Sequence, residues 1–166
     1  MGRYYYSANG DFDGKFWFGV QPSEDCEDIY GFTRTPIEDE EGEDSESWAD
    51  VWQDDAERVR KALDEQFELA KIPKKERQYD FDSTTDIGNY VWDYLGEYFL
   101  QTTPAEPNDT GYFMGDGRPT LYSKDKEQTL AMARVELGLM ALNDIRKHGE
   151  CNWTIDLYSQ HTIQCN

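Results

Sequence analysis

Three features of the sequence predict an α+β fold: a small antiparallel sheet, built from an N-terminal hairpin plus a C-terminal strand, with three helices packed on one face. Two aromatic blocks near the start, Tyr4-Tyr5-Tyr6 and Phe16-Trp17-Phe18, have strong strand preference. Near the end, Trp153, Ile155 and Leu157 alternate with Thr154, Asp156 and Tyr158, which is the two-residue period of a half-buried strand. Between them, three segments repeat apolar residues at three- and four-residue steps, the spacing of helices. The 166 residues suit one domain over residues 1–166, large enough to bury a core without disulfides or metals.

Each element has its own signal. The first two strands flank Asn9-Gly10-Asp11-Phe12-Asp13-Gly14, which offers both an Asn-Gly and an Asp-Gly hairpin turn. A short further strand is expected over Ile29 to Thr33. Ser47, with Asp50 three residues on, resembles a capping box. Trp48, Trp52, Val59, Leu63, Phe67 and Ala70 then predict one long helix from Trp48 to Ile72, stopped by Pro73. A second helix is expected from Ser83, Thr84 or Thr85, carrying Ile87, Val91, Tyr94, Leu95, Tyr98 and Phe99 and weakened by Gly88 and Gly96. Residues 102–120 hold three Pro and three Gly and read as loop, with a short strand at Gly111 to Met114. The third helix runs from Ser123 to His148 with Gly149 as its C-terminal cap, and its all-round apolar middle places it centrally in the core.

Charge separates what the chain is suited to bind from what it is not. It has 16 Lys+Arg against 35 Asp+Glu, a formal net charge of −19. Direct binding to nucleic acid is therefore not expected, because phosphate contacts come from Lys and Arg, and an anionic membrane surface is disfavoured for the same reason. The excess is local. Residues 24–55 contain 14 of the 35 acids and one base, Arg34. No apolar run forms a signal-peptide core, three cysteines are too few for a disulfide framework, and a cytoplasmic setting is expected.

Catalytic and metal chemistry have weak footholds. Asn9 to Gly14 resembles the opening of a calcium loop, but Val20 stands where the bidentate Glu belongs, and a hairpin turn explains every residue. His148, Cys151, His161 and Cys165 are zinc-type ligands at local zinc-type spacing. The strand between the two pairs would hold them about 30 Å apart unless the chain folds back. His148 is accounted for by a helix C-terminus and His161 by an ordinary loop. There is no nucleophile elbow, phosphate-cradling glycine loop or Walker motif, and nothing local recommends Cys26 as a nucleophile. No catalytic, cofactor-binding or metal residue is nominated. The alternative to a binding protein is a small enzyme whose site gathers dispersed groups such as Asp11, Asp13, Glu97 and His148, or a metal-stabilised module.

The acidic tract is the candidate that remains. Glu38, Asp39, Glu40, Glu41, Glu43, Asp44 and Glu46 fall in a stretch without apolar periodicity, read as a mobile loop at about residues 36–46. Its bland reading is a solubilising surface; its functional reading is electrostatic capture of a basic protein surface, such as that of a nucleic-acid-binding protein. That makes the expected function a non-catalytic acidic interaction module, an inhibitor or accessory protein with some likeness to nucleic-acid mimics made by small viral proteins. Arg58, Arg60, Lys61, Lys71, Lys74, Lys75 and Arg77 follow directly, so the tract is also expected, as a competing arrangement, to fold back and mask its own basic face. The aromatic blocks, and Trp48 with Trp52, are expected to pack in the core and sheet.

Overall fold

A computed structural model of the chain describes residues 3–7, 15–17, 22–38, 44–96, 99–100, 111–112, 121–122 and 125–156. In chain order the elements are β1 (Arg3–Ser7), β2 (Lys15–Trp17), a π-helical segment (Pro22–Ile29), β3 (Thr33–Glu38), β4 (Asp44–Gln53) and helix α1 (Ala56–Leu69). A 3-10 turn (Lys74–Glu76) follows, then α2 (Thr84–Gly88), which runs on as a π-helical segment (Asn89–Gly96). Two short strands, β5 (Gly111–Tyr112) and β6 (Leu121–Tyr122), precede α3 (Lys126–His148) and β7 (Cys151–Asp156).

The fold is α+β, with the N-terminal hairpin and the C-terminal strand joined in one antiparallel sheet. Its order is β2-β1-β7-β4-β3, and β5-β6 form a separate hairpin. Tyr4 lies opposite Phe16 in β2 and opposite Asp156 in β7. The sheet is wider than expected because β4 inserts beside β7, in the register Trp48 opposite Asp156 through Gln53 opposite Cys151. The expected short strand at Ile29 to Thr33 lies further along, with Ile29 closing the π-helical segment and β3 beginning at Thr33.

The long helix expected from Trp48 to Ile72 is corrected to a strand and a shorter helix. Trp48 to Gln53 belong to β4, and α1 starts only at Ala56, capped by Asp55 whose carboxylate accepts from the Arg58 N–H at 3.1 Å. A four-residue step is compatible with a helix and also with two strand periods, and pairing to strands on both sides decides between them. Gln53 makes the corner. Its buried amide donates to the Tyr30 and Gly31 carbonyls at 3.0 and 2.9 Å and accepts from the Asp54 and Asp55 N–H groups at 3.0 and 3.1 Å. Four backbone groups at a chain reversal are thereby satisfied by one side chain.

α1 ends in a Schellman arrangement: the Ile72 N–H reaches the Phe67 carbonyl at 3.0 Å and the Lys71 N–H reaches Glu68 at 3.0 Å. Lys71 occupies the left-handed position usually given to Gly, with φ of 62°. α2 and its π-helical continuation carry Ile87, Val91 and Leu95 into the core, as expected; Tyr98 lies outside the described residues. α3 is capped by Asp125 rather than Ser123 and stops at Gly149, which adopts φ of 85° as a left-handed cap.

α3 is the centre of the molecule, with nearly every residue from Gln128 to Ile145 buried. Its polar residues are built into the packing. Arg134 forms an ion pair with the fully buried Asp25 of the first π-helical segment. Tyr30 donates to the Arg134 carbonyl at 2.6 Å, and burial followed by the Asp25 charge pushes its phenol well above the ordinary value. The Trp153 indole donates to Asp144 at 2.9 Å, and Gln128 donates to the Ala70 carbonyl at 2.9 Å. Burial along the strands shows which face of the sheet the helices cover. Val51, Gln53, Cys151 and Trp153 are buried, whereas the alternate Asp50, Trp52, Asn152 and Thr154 are not. Among the described residues, no helix is long and apolar enough to cross a membrane.

Candidate interaction surface

The acidic tract is tied to the edge of the sheet. β3 is an edge strand, Pro36 within it removes one backbone donor, and the pairing slips between Pro36 and Glu38 before Glu38 pairs with Asp44. Glu38 and Asp44 are therefore cross-strand neighbours, and Glu46 lies two residues further along β4, in the stretch where two steps of β3 face five of β4. Like charges directly opposite each other in a sheet are unfavourable, by up to about 1 kcal/mol. Asp39, Glu40, Glu41 and Glu43 lie outside the described residues, between these two strand ends. Of the expected loop at 36–46, residues 36–38 and 44–46 belong to strands.

The only base in the acidic window, Arg34, pairs with Glu27 at 3.4 Å. Arg58 lies beside Gly31, where an added Cβ would meet its Nε at 3.0 Å, and Gly31 is held by Gln53 at the opposite end of β4 from Asp44. The expected masking of the basic face runs through residues 39–43, which lie outside the described residues.

The other sequence candidates do not converge among the described residues. His148 is exposed at the end of α3, whereas Cys151 is fully buried at the start of β7, opposite Gln53. His161 and Cys165 lie outside the described residues, as do Asn9 to Gly14 and Glu97. Cys26 and Cys151 are both buried and form no disulfide with each other. No group of three or more His, Cys, Asp or Glu among the described residues could hold a metal ion.

Among the described residues, two clefts border α1, and both are lined by mixed charge. One, of about 420 Å³, lies between α1 and the 3-10 turn, with Asp64, Glu68, Lys74, Arg77 and Tyr79 on its walls. Its groups are engaged with each other. Arg77 binds Glu68 at 2.8 Å and the Ile72 carbonyl at 3.0 Å, Tyr79 donates to Asp64, and Arg60 lies 4.0 Å over the Tyr79 ring. The Arg77 hydrogen bond holds the Glu68 carboxyl below its usual range, and burial followed by the Asp64 bond pushes Tyr79 up. The other cleft, of about 360 Å³, is bordered by Asp28, Ile29, Arg58, Lys61, Glu65 and Gln66. Neither pairs a nucleophile with a base.

Sequence reasoning missed the exposed side of β4. Trp52 is 38% exposed, on the face opposite Val51 and Gln53, and Thr154 donates to Asp50 at 3.0 Å on that same face. The signal was the strict alternation of Asp44, Glu46, Trp48, Asp50 and Trp52 with Ser45, Ser47, Ala49, Val51 and Gln53. The chain matches no family model, no curated protein and no solved structure.

Proposed function

We propose that the protein is a non-catalytic interaction module that captures a basic surface of a protein partner through Glu38, Asp39, Glu40, Glu41, Glu43, Asp44 and Glu46. The observation that carries this reading is the pairing of Glu38 with Asp44 at the end of a sheet-edge hairpin. Two acids are held as neighbours by the backbone, so the repulsion between them is relieved when a cation arrives. A tract anchored at both ends in a five-stranded sheet also loses less conformational entropy on binding than a free loop would. Association should be fast and sensitive to salt, as between oppositely charged patches. An inhibitory or accessory role against a nucleic-acid-binding protein follows from the same chemistry, because such proteins display Lys and Arg where phosphate would sit.

The test is a pull-down from lysate at low and high salt. One bait is the wild type; the other carries the seven acids as their amides, which keeps strand register where a deletion would not. A partner caught by the wild type, released by salt and missed by the amide variant supports capture. Equal recovery by both baits, or salt-independent recovery, contradicts it.

A further inference from the structure

The two clefts beside α1 differ in how their charges are used. Between α1 and the 3-10 turn, Arg77 is bound to Glu68 and Tyr79 to Asp64. The other cleft, of about 360 Å³, is lined by Asp28, Arg58, Lys61 and Glu65, and none of these four forms an ion pair among the described residues. Arg58, Lys61 and Glu65 are spaced by three and four residues, so they lie along one side of α1, beside the buried stripe that carries Gln66. Asp28 and Ile29 line the same cleft from the end of the first π-helical segment. Gln66 is the buried member of the lining, only 4% exposed, and its side-chain Oε1 accepts no hydrogen bond among the described residues. A buried acceptor without a partner is unfavourable, and one that borders a cleft is placed to accept from a donor outside the chain. Gly31 makes room for the Arg58 guanidinium: a Cβ there would meet its Nε at 3.0 Å and its Cζ at 3.3 Å.

We propose that this cleft binds a small zwitterion, an α-amino acid with an apolar side chain. Arg58 offers a planar fork and Lys61 a point charge, both suited to a carboxylate. The unmet Gln66 Oε1 and the Asp28 carboxylate require a donor that carries positive charge, and an ammonium is one. The two acids and two bases of the lining cancel, so the matching ligand carries both charges and no net charge. A simple anion would face Asp28 and Glu65 as well as the formal charge of −19 on the whole chain. Ile29, partly buried against the core, gives an apolar wall for the ligand's side chain. The volume falls at the small end of small-molecule sites, which run from roughly 300 to 1,000 Å³. This inference is separate from the capture reading, because no residue of the cleft belongs to the acidic tract.

The experiment titrates L-leucine into the isotope-labelled full chain and follows the side-chain amide signal of Gln66 by NMR, assigned by its loss in Gln66→Met. N-acetyl-L-leucine, which lacks the ammonium, and L-leucinamide, which lacks the carboxylate, are titrated alongside, each to about 10 mM. L-leucine is expected to shift the Gln66 signal saturably, and both truncated ligands should bind about tenfold more weakly or worse. Arg58→Met keeps an unbranched stem beside Gly31 and should weaken L-leucine about tenfold while leaving L-leucinamide unchanged. Gln66→Met, read at the backbone amides of Lys61 and Glu65, should weaken L-leucine by a similar factor. Its urea midpoint should hold or rise, because the unmet acceptor is gone, which separates lost binding from lost folding. The assignment is overturned if L-leucine gives no saturable shift, if N-acetyl-L-leucine binds as tightly, or if both variants titrate like the wild type. None of these outcomes bears on the tract.

Discussion

Gly138 shows how tightly individual residues are specified in this core. A Cβ there would lie 2.7 and 2.8 Å from carbons of the Tyr30 ring, which is fully buried and hydrogen-bonded to the Arg134 carbonyl. Gly138→Ala is therefore expected to lower unfolding free energy in urea by about 1–3 kcal/mol, despite the better helix propensity of Ala. The neighbouring Asp25–Arg134 pair should behave asymmetrically. Asp25→Asn leaves Arg134 only the exposed Glu127, 3.4 Å away, as counter-charge and should cost about 3 kcal/mol, whereas Asp25→Leu with Arg134→Met should recover most of that loss. Alkaline pH probes Tyr30 and Tyr90, both pushed above the ordinary 10.0 mainly by burial. Their folded-state values exceed the unfolded ones, so their contribution is complete below about pH 10 and is lost as pH rises towards the folded values. Urea midpoints should fall above that pH, and tyrosinate absorbance from these residues should appear together with unfolding. None of these contacts was legible in the sequence. Gly138 lies within an unbroken helical pattern, and Tyr30 and Asp25 are more than 100 positions from Arg134, a separation that no local period can reveal.

At the scale of elements, the strand and helix signals were legible where they were unambiguous. The aromatic hairpin, the alternating C-terminal strand and the glycine-capped third helix were all expected and are all present. β4 was not, because Trp48 and Trp52 lie four residues apart, a spacing that serves one helical turn and two strand steps alike. The deciding residue is Gln53, whose amide binds four backbone groups that are distant or newly turned. Gln53→Leu should destabilise the protein by more than 2 kcal/mol, estimated at about 1 kcal/mol per unmet backbone group, measurable as a lower urea midpoint. At the other end of α1, Lys71→Gly should stabilise by about 0.5–1 kcal/mol, because the left-handed cap suits Gly and the Asp125 pair it gives up is exposed. No change or a loss in the urea midpoint would contradict that assignment.

At the scale of the whole molecule, charge and register differ in what the sequence reveals of them. The acidic tract was visible in composition because its acids are contiguous, with residues 24–55 holding 14 of the 35. The rows across the sheet were invisible for the opposite reason. Tyr4, Trp48 and Asp156 share one row only through the pairing of β1, β7 and β4. The central claim is that the location of the negative charge, not its amount, gives the protein its partner. The most direct measurement compares two variants of equal charge, each with seven acids replaced by amides and the formal net charge reduced from −19 to −12. One carries the changes at the tract; the other carries them at the exposed Glu57, Glu65, Asp80, Asp82, Asp86, Asp93 and Glu150. Affinity for a fluorescein-labelled (Arg-Gly)6 peptide, read by fluorescence anisotropy at low salt, should collapse for the tract variant and stay near the wild-type value for the other. Equal losses in both would mean that the chain attracts cations only through its total charge, and would contradict the account.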